Sequence, residues 1–171
     1  SYTVRVVNST VKSTRPGGTT AGLLPVQTYA NGSKVGGNNP AVQDPGASGN
    51  NISAVPANAQ STLVVQPAFG TPTDASFGFN FDVIVNTNAS GQGSLSQFIT
   101  NSNALLNDNS DLSTANDLFQ EGQTPGVEAS IFMIPTNLLT SGVAVINQTN
   151  SSLPTITGIN TSIDGTTQTA N

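Results

Sequence analysis

The stretch SFGFNFDVIVNTNASGQGSLSQFITNSNALLN, residues 76–107, changes its hydrophobic period halfway. Up to Thr87 apolar and polar positions alternate, as in a strand with one buried face. Phe77, Phe79, Phe81 and Val83 fall on one side, and Gly78, Asn80 and Asp82 on the other. Beyond a Gly/Asn/Ser joint, Leu95, Phe98, Ile99, Ser102, Leu105 and Leu106 recur at helical spacing. Ser94 and Gln97 stand three apart before this stripe, the spacing of a capping box. The pattern predicts a short amphipathic helix over 95–106, its stripe buried against the Phe77/Phe79/Phe81 or the Ile131/Met133 strands.

Alternating or continuous apolar runs predict further strands at 1–11, 23–30, 61–69, 127–135, 142–149, 153–158 and 161–169, and a second short helix near 113–119. In the first run Tyr2, Val4 and Val6 form one face, opposed by Thr3, Arg5 and Val7. Residues 35–60, rich in Gly, Asn, Pro and Ala, read as a long irregular excursion. The fold class expected is mainly β, a β-sandwich or β-solenoid-like arrangement with one short capping α-helix near 95–106. The chain reads as a single β-rich domain, 1–171, with a sub-division between a sandwich-like part, 1–87, and a helix plus β-helix-like part, 88–171.

Composition narrows the class. Ser, Thr and Asn make up more than a third of the chain and only 8% of residues are charged, which points to a secreted or surface β protein rather than a cytosolic enzyme. No apolar run is long enough to span a membrane, and a net charge of −5 argues against nucleic acid. The chain opens directly on a strand pattern, as a processed N-terminus or a domain boundary would. All four basic residues, Arg5, Lys12, Arg15 and Lys34, precede all nine acidic ones, which begin at Asp44. That asymmetry suggests a basic end that meets the acidic body of a neighbouring copy.

The phrases FGFNFDVIVNTNASGQGSLSQFITNSNAL, VEASIFMIP and LPTITGINTSIDGTTQ resemble a segment of large bacterial surface proteins. In those a Cna-B/SdrD-like β-sandwich module ends in such a strand, and a GSLRQ-type helix leads into a right-handed parallel β-helix. The resemblance covers about 76–169 closely and 1–75 loosely. Position 96 is Ser where the family has Arg, and the chain stops where a long β-helix would begin. The resemblance implies that the helix closes the end of a β-solenoid and hides an edge open to pairing. It also raises a Lys–Asn isopeptide bond as a further expectation, with Lys12 as the lysine.

Candidate chemistry is sparse. Without His or Cys, a Ser-His or Cys-His nucleophile and the usual zinc sites are excluded. Asp82, Glu121, Glu128 and Asp164 are the carboxylates from which an acid/base pair would be drawn, but nothing basic follows residue 34 to accompany them. Asp164, in IDG, reads as a turn residue making an Asx bond. Asn107, Asn109 and Asp111 alternate like calcium ligands, but Leu112 and Leu118 occupy the Gly and Glu positions of an EF-hand loop. Calcium there is the one cofactor candidate; no other is expected. Seven Asn-x-Ser/Thr sequons, at Asn8, Asn31, Asn51, Asn88, Asn147, Asn150 and Asn160, are candidate glycosylation sites.

These features lead to the expectation of a non-enzymatic extracellular structural protein. It would be a self-assembling subunit of a pilus-like cell-surface filament, joined head to tail by β-strand exchange through residues 1–11. Tyr2, Val4, Arg5, Val6 and Val7 would form the assembly strand. The alternative is a stalk or glycan-binding module of a large bacterial adhesin, active in adhesion or biofilm and with host or matrix glycans as partners.

Overall fold

In the computed structural model the described residues are 1–31, 35–47, 55–66, 74–105, 127–148 and 152–168. They form a mainly β fold with one α-helix. The elements are β1 (Tyr2–Val6), β2 (Val26–Ala30), β3 (Ser61–Val65), β4 (Phe77–Asn80), β5 (Val83–Ile84), α1 (Leu95–Ala104), β6 (Glu128–Ala129), β7 (Ile131–Phe132) and β8 (Thr161–Ser162). β1 pairs with β3 and β2 with β4, both antiparallel, and a bulge interrupts the second pair between Gln27 and Tyr29. β5 pairs with β7 and β6 with β8, both parallel.

The parallel pairs belong to three passes of chain that run side by side. In the middle pass, residues 128–134, successive N–H groups point alternately to the two neighbours. Ile131 and Met133 donate to Asp82 O and Ile84 O, at 3.0 and 2.8 Å. Glu128 and Ser130 donate to Asn160 O and Ser162 O on the other side, both at 2.9 Å. There the third pass ends as a strand, and side chains continue its work. Thr167 Oγ1 accepts from Phe132 N at 3.0 Å. Gln168 accepts from Ile134 N at 3.1 Å and donates to Ile134 O at 2.9 Å, the two bonds a backbone peptide would make.

Burial on both faces explains the continuous apolar run in this region. On one face Ile84, Phe132 and Ile134 pack against Phe98 and Ile99 of α1, with Leu95, Leu138, Leu139 and Ala144 around them. On the other, Val83, Val85 and Ile131 meet Val26 of β2, flanked by Val35 and Met133. The helix therefore packs on the second of the two strands expected for it, but through Phe132 and Ile134; Ile131 and Met133 face away, and Phe77, Phe79 and Phe81 are only half-buried.

α1 begins as the sequence predicts, with Ser94 Oγ accepting from Gln97 N at 3.0 Å. The reciprocal half of the box is replaced, because the Gln97 side chain donates instead to Gly22 O and Asn101 Oδ1, both at 2.9 Å. The helix ends at Ala104 with Leu105 as its C-cap. Leu106 and the 113–119 helix expectation lie outside the described residues.

Other expectations are corrected. The 75–87 strand breaks at Phe81 and Asp82 into β4 and β5. Within 142–148 the structure has only a bridge from Val143 to Thr140. Residues 153–158 form no strand: Asn103 of α1 accepts from Thr157 N and Gly158 N and donates to Thr155 O, at 2.7 to 2.9 Å. Side-chain amides hold this segment where ladder partners were expected. The expected division near residue 87 is crossed by the β5–β7 pair and by the Gln97–Gly22 bond.

Candidate assembly strand and buried ion pairs

β1 runs antiparallel to β3 of its own chain, in register from Tyr2 opposite Val65 to Val6 opposite Ser61. No second neighbour pairs with either strand among the described residues. Neither face of the strand is fully buried. Tyr2 is 70% exposed, Val4, Val6 and Val7 are half-buried, and the Arg5 side chain keeps only 8% of its exposure. Arg5 turns inward because a partner waits there. Its Nη2 donates to Asp44 Oδ1 at 3.1 Å and to Gly46 O at 2.8 Å.

Asp44 is held in turn by the N–H groups of Gly46 and Gln60, at 2.9 and 3.1 Å. Just after β1, buried Asn8 donates to Pro25 O at 3.3 Å and accepts from Ser61 Oγ at 2.8 Å. Side chains thus fasten the strand toward its inner end, while Tyr2 at the outer end is laddered but exposed.

The segment after it, STRPGG, is a folded turn. Ser13 N donates to Gly18 O and Gly18 N to Arg15 O. Gly17, at φ +80°, lies so close to the helix end that a Cβ there would stand 2.0 Å from Ala104 O. Arg15 fastens the turn to the body. Its guanidinium spans both carboxylate oxygens of Glu128 at 3.3 Å and also donates to Leu105 O at 3.3 Å. The two ion pairs, Arg5–Asp44 and Arg15–Glu128, lie within one chain. Half of the basic residues thus find acidic partners without a neighbouring copy.

Asp82 joins the second ion pair. The alternation set it on a polar outer face, yet it is buried, and burial pushes its carboxyl well above the usual range. The charge of Glu128 and a hydrogen bond to it act in the same direction, while Arg15 opposes them. Two of the four candidate carboxylates are therefore brought together, under the Arg15 turn and away from solvent. Asp164 is exposed and accepts from Thr166 N at 2.9 Å, the Asx turn expected of it; Glu121 lies outside the described residues.

No family model matches the sequence, and no solved structure matches the fold. No helix among the described residues is long and apolar enough to cross a membrane.

The remaining candidate residues are scattered. Asn31, Asn88, Asn147 and Asn160 are exposed, whereas Asn8 is fully buried and its amide engaged, which leaves no room for a glycan on the folded chain. Asn51 and Asn150 lie outside the described residues, as do Asn107, Asn109 and Asp111 of the calcium candidate and Lys34. Lys12 is exposed. On the third pass Ile156, Ile159 and Ile163 are exposed, and β8 pairs on one side only among the described residues.

The sequence reading named Asn8, Asp82 and Arg15 but missed that each turns inward, because a polar residue in an exposed phase or loop looks the same as one facing a buried partner. The one signal was that Arg15 and Asp82 are charges in a chain with very few.

Proposed function

We propose that the chain is an extracellular structural protein, a self-assembling subunit of a cell-surface filament whose copies join head to tail by exchanging residues 1–11. The observation that carries this reading is the attachment of β1. Among the described residues a five-residue strand pairs with one neighbouring strand, the Arg5–Asp44 pair and Asn8 hold it to the body, and its connection to the body is fastened again at Arg15. If β1 of another copy took its place against β3, the same ladder, the Arg5–Asp44 pair and the Asn8–Ser61 bond would form between chains. Exchange of an identical element needs no new interface chemistry. An open head-to-tail contact of this kind does not close, so it extends into a fibre.

Deletion of residues 1–11 tests this. The shortened chain is expected to stay monomeric, to lose stability, and to regain it when a synthetic peptide of residues 1–11 is added. Filaments formed by the deletion variant, or a full chain that stays monomeric at high concentration, would remove strand exchange.

A second reading, a stalk or glycan-binding module of a large adhesin, is favoured by the open side of β8 and the exposed Ile156, Ile159 and Ile163. Tyr2 and Tyr29, both exposed, would be its sugar-stacking residues. Negative-stain microscopy of native material distinguishes fibre from module, and a glycan array tests sugar binding.

A further inference from the structure

We propose that the Asp82–Glu128–Arg15 cluster is a proton-dependent lock on the turn that ties the N-terminal strand to the body. Asp82 and Glu128 are 4% and 2% exposed, and one guanidinium serves both. Glu128 uses both oxygens on Arg15. Asp82 Oδ1 is buried with no N–H or O–H donor directed at it. Two carboxylates together supply acceptors only, so the arrangement is satisfied when a proton lies between them and Asp82 donates to Glu128. With that proton in place the buried charges are one carboxylate and one guanidinium. Without it a second negative charge is confined in a site of low polarity, which is costly.

Among the described residues no other charged residue lies on the elements around the cluster. α1, β2, β5, β7 and β8 carry no Asp, Glu, Lys or Arg, and Tyr29, the one phenol among them, is exposed. The weak wall is the 13–18 turn. The turn is held by Arg15 and the close seat of Gly17 on the helix end. Lifting the turn admits water to both carboxylates, so ionisation of Asp82 favours the lifted state.

The direction in pH follows from linkage. The folded-state value of Asp82 is raised above the ordinary 3.8. Its proton therefore contributes stability that is complete below the ordinary range and is lost as pH rises through the folded value. The lock is closed while Asp82 holds its proton and opens as pH rises through the raised folded value. A link to filament growth rests on the strand-exchange reading, since a lifted turn gives β1 a longer tether; the lock itself does not depend on that reading.

Hydrogen exchange of the full chain between pH 5 and pH 10, corrected for intrinsic rates, tests the lock. Amides of residues 13–18 should lose protection to a clearly greater extent than those of α1 as pH rises. In Asp82→Asn, whose amide donates to Glu128 at every pH, that selective loss should vanish. If this variant fails to fold, carbon-13 NMR titration of the wild-type carboxyls gives the same answer. An Asp82 carboxyl that titrates in the ordinary range, or equal loss of protection at 13–18 and α1, would overturn the lock. Filament yield measured across the same pH range addresses strand exchange separately: a working lock with no effect on yield counts against exchange alone.

Discussion

Asn101 of α1 pairs with the backbone of Leu24 as a neighbouring strand would. Its Oδ1 accepts from Leu24 N at 3.2 Å and its Nδ2 donates to Leu24 O at 3.1 Å. The same amide also accepts from Gln97 and donates to Phe81 O at 2.9 Å. One buried side chain thus ties together the helix, the approach to β2 and the end of β4. Asn101→Ala should destabilise the fold by about 2–4 kcal/mol, because it strands backbone groups that a buried ladder would have satisfied. Urea unfolding of the variant measures this, and a change within experimental error would mean that water replaces the amide.

Phe98 lies in the face shared by α1, β5 and β7 and is 1% exposed. Phe98→Ala should cost about 3–5 kcal/mol. An unchanged melting temperature would take the helix out of the core.

The Arg5–Asp44 pair is buried, so its removal from one side leaves an uncompensated charge. Arg5→Ala should cost about 3–5 kcal/mol and show little dependence on salt up to 1 M, unlike a surface pair. Denaturation curves at low and high salt check both points.

Gly17 and Gly142 share a positive φ near 80°, but space surrounds Gly142 while Ala104 O crowds Gly17. Gly142→Ala should show only the backbone penalty, about 1–2 kcal/mol. Gly17→Ala should be clearly worse, since the turn must also lift off the helix end. Equal losses in thermal melts would show that the turn yields freely.

Asp164 acts in the opposite sense to Asp82. Its bonds from Thr166 hold its carboxyl below the usual range, so its contribution is present above that range and lost as pH falls through the lowered value. Asp164→Ala should fray the 3-10 turn at Gly165–Thr167 and loosen Thr167 from Phe132 N. Faster hydrogen exchange at Phe132 and Ile134 is the expected result.

Much of the architecture is legible in the sequence where local rules govern it. Ser94 and the three-four spacing of Leu95, Phe98 and Ile99 mark α1, and alternation marks β1, β2, β3 and β4. What alternation cannot distinguish is a polar side chain facing water from one facing a backbone. Asn8, Asn101, Asn103 and Gln168 look like surface residues, yet Asn103 holds the 153–158 segment that the apolar pattern assigned to a strand, Asn101 and Gln168 pair with the backbone of Leu24 and Ile134, and Asn8 bonds Pro25 and Ser61. The candidate site is less legible still. Asp82 follows the polar phase of its strand, and only the distant Arg15 and Glu128 make its burial tolerable.

The fastening of β1 also has a kinetic side. Its partner strand lies some sixty residues along the chain, and Arg15 meets Glu128 across a separation of 113 residues. Closing such loops comes before their contacts can stabilise anything, so a topology of this kind folds slowly, on the order of milliseconds to seconds. Throughout that interval the exposed edge of β3 awaits its strand. At low concentration the tethered β1 of the same chain arrives first, whereas in a crowded solution a neighbour's β1 competes for the edge. The concentration at which refolding takes place would then set the ratio of closed monomer to joined chains.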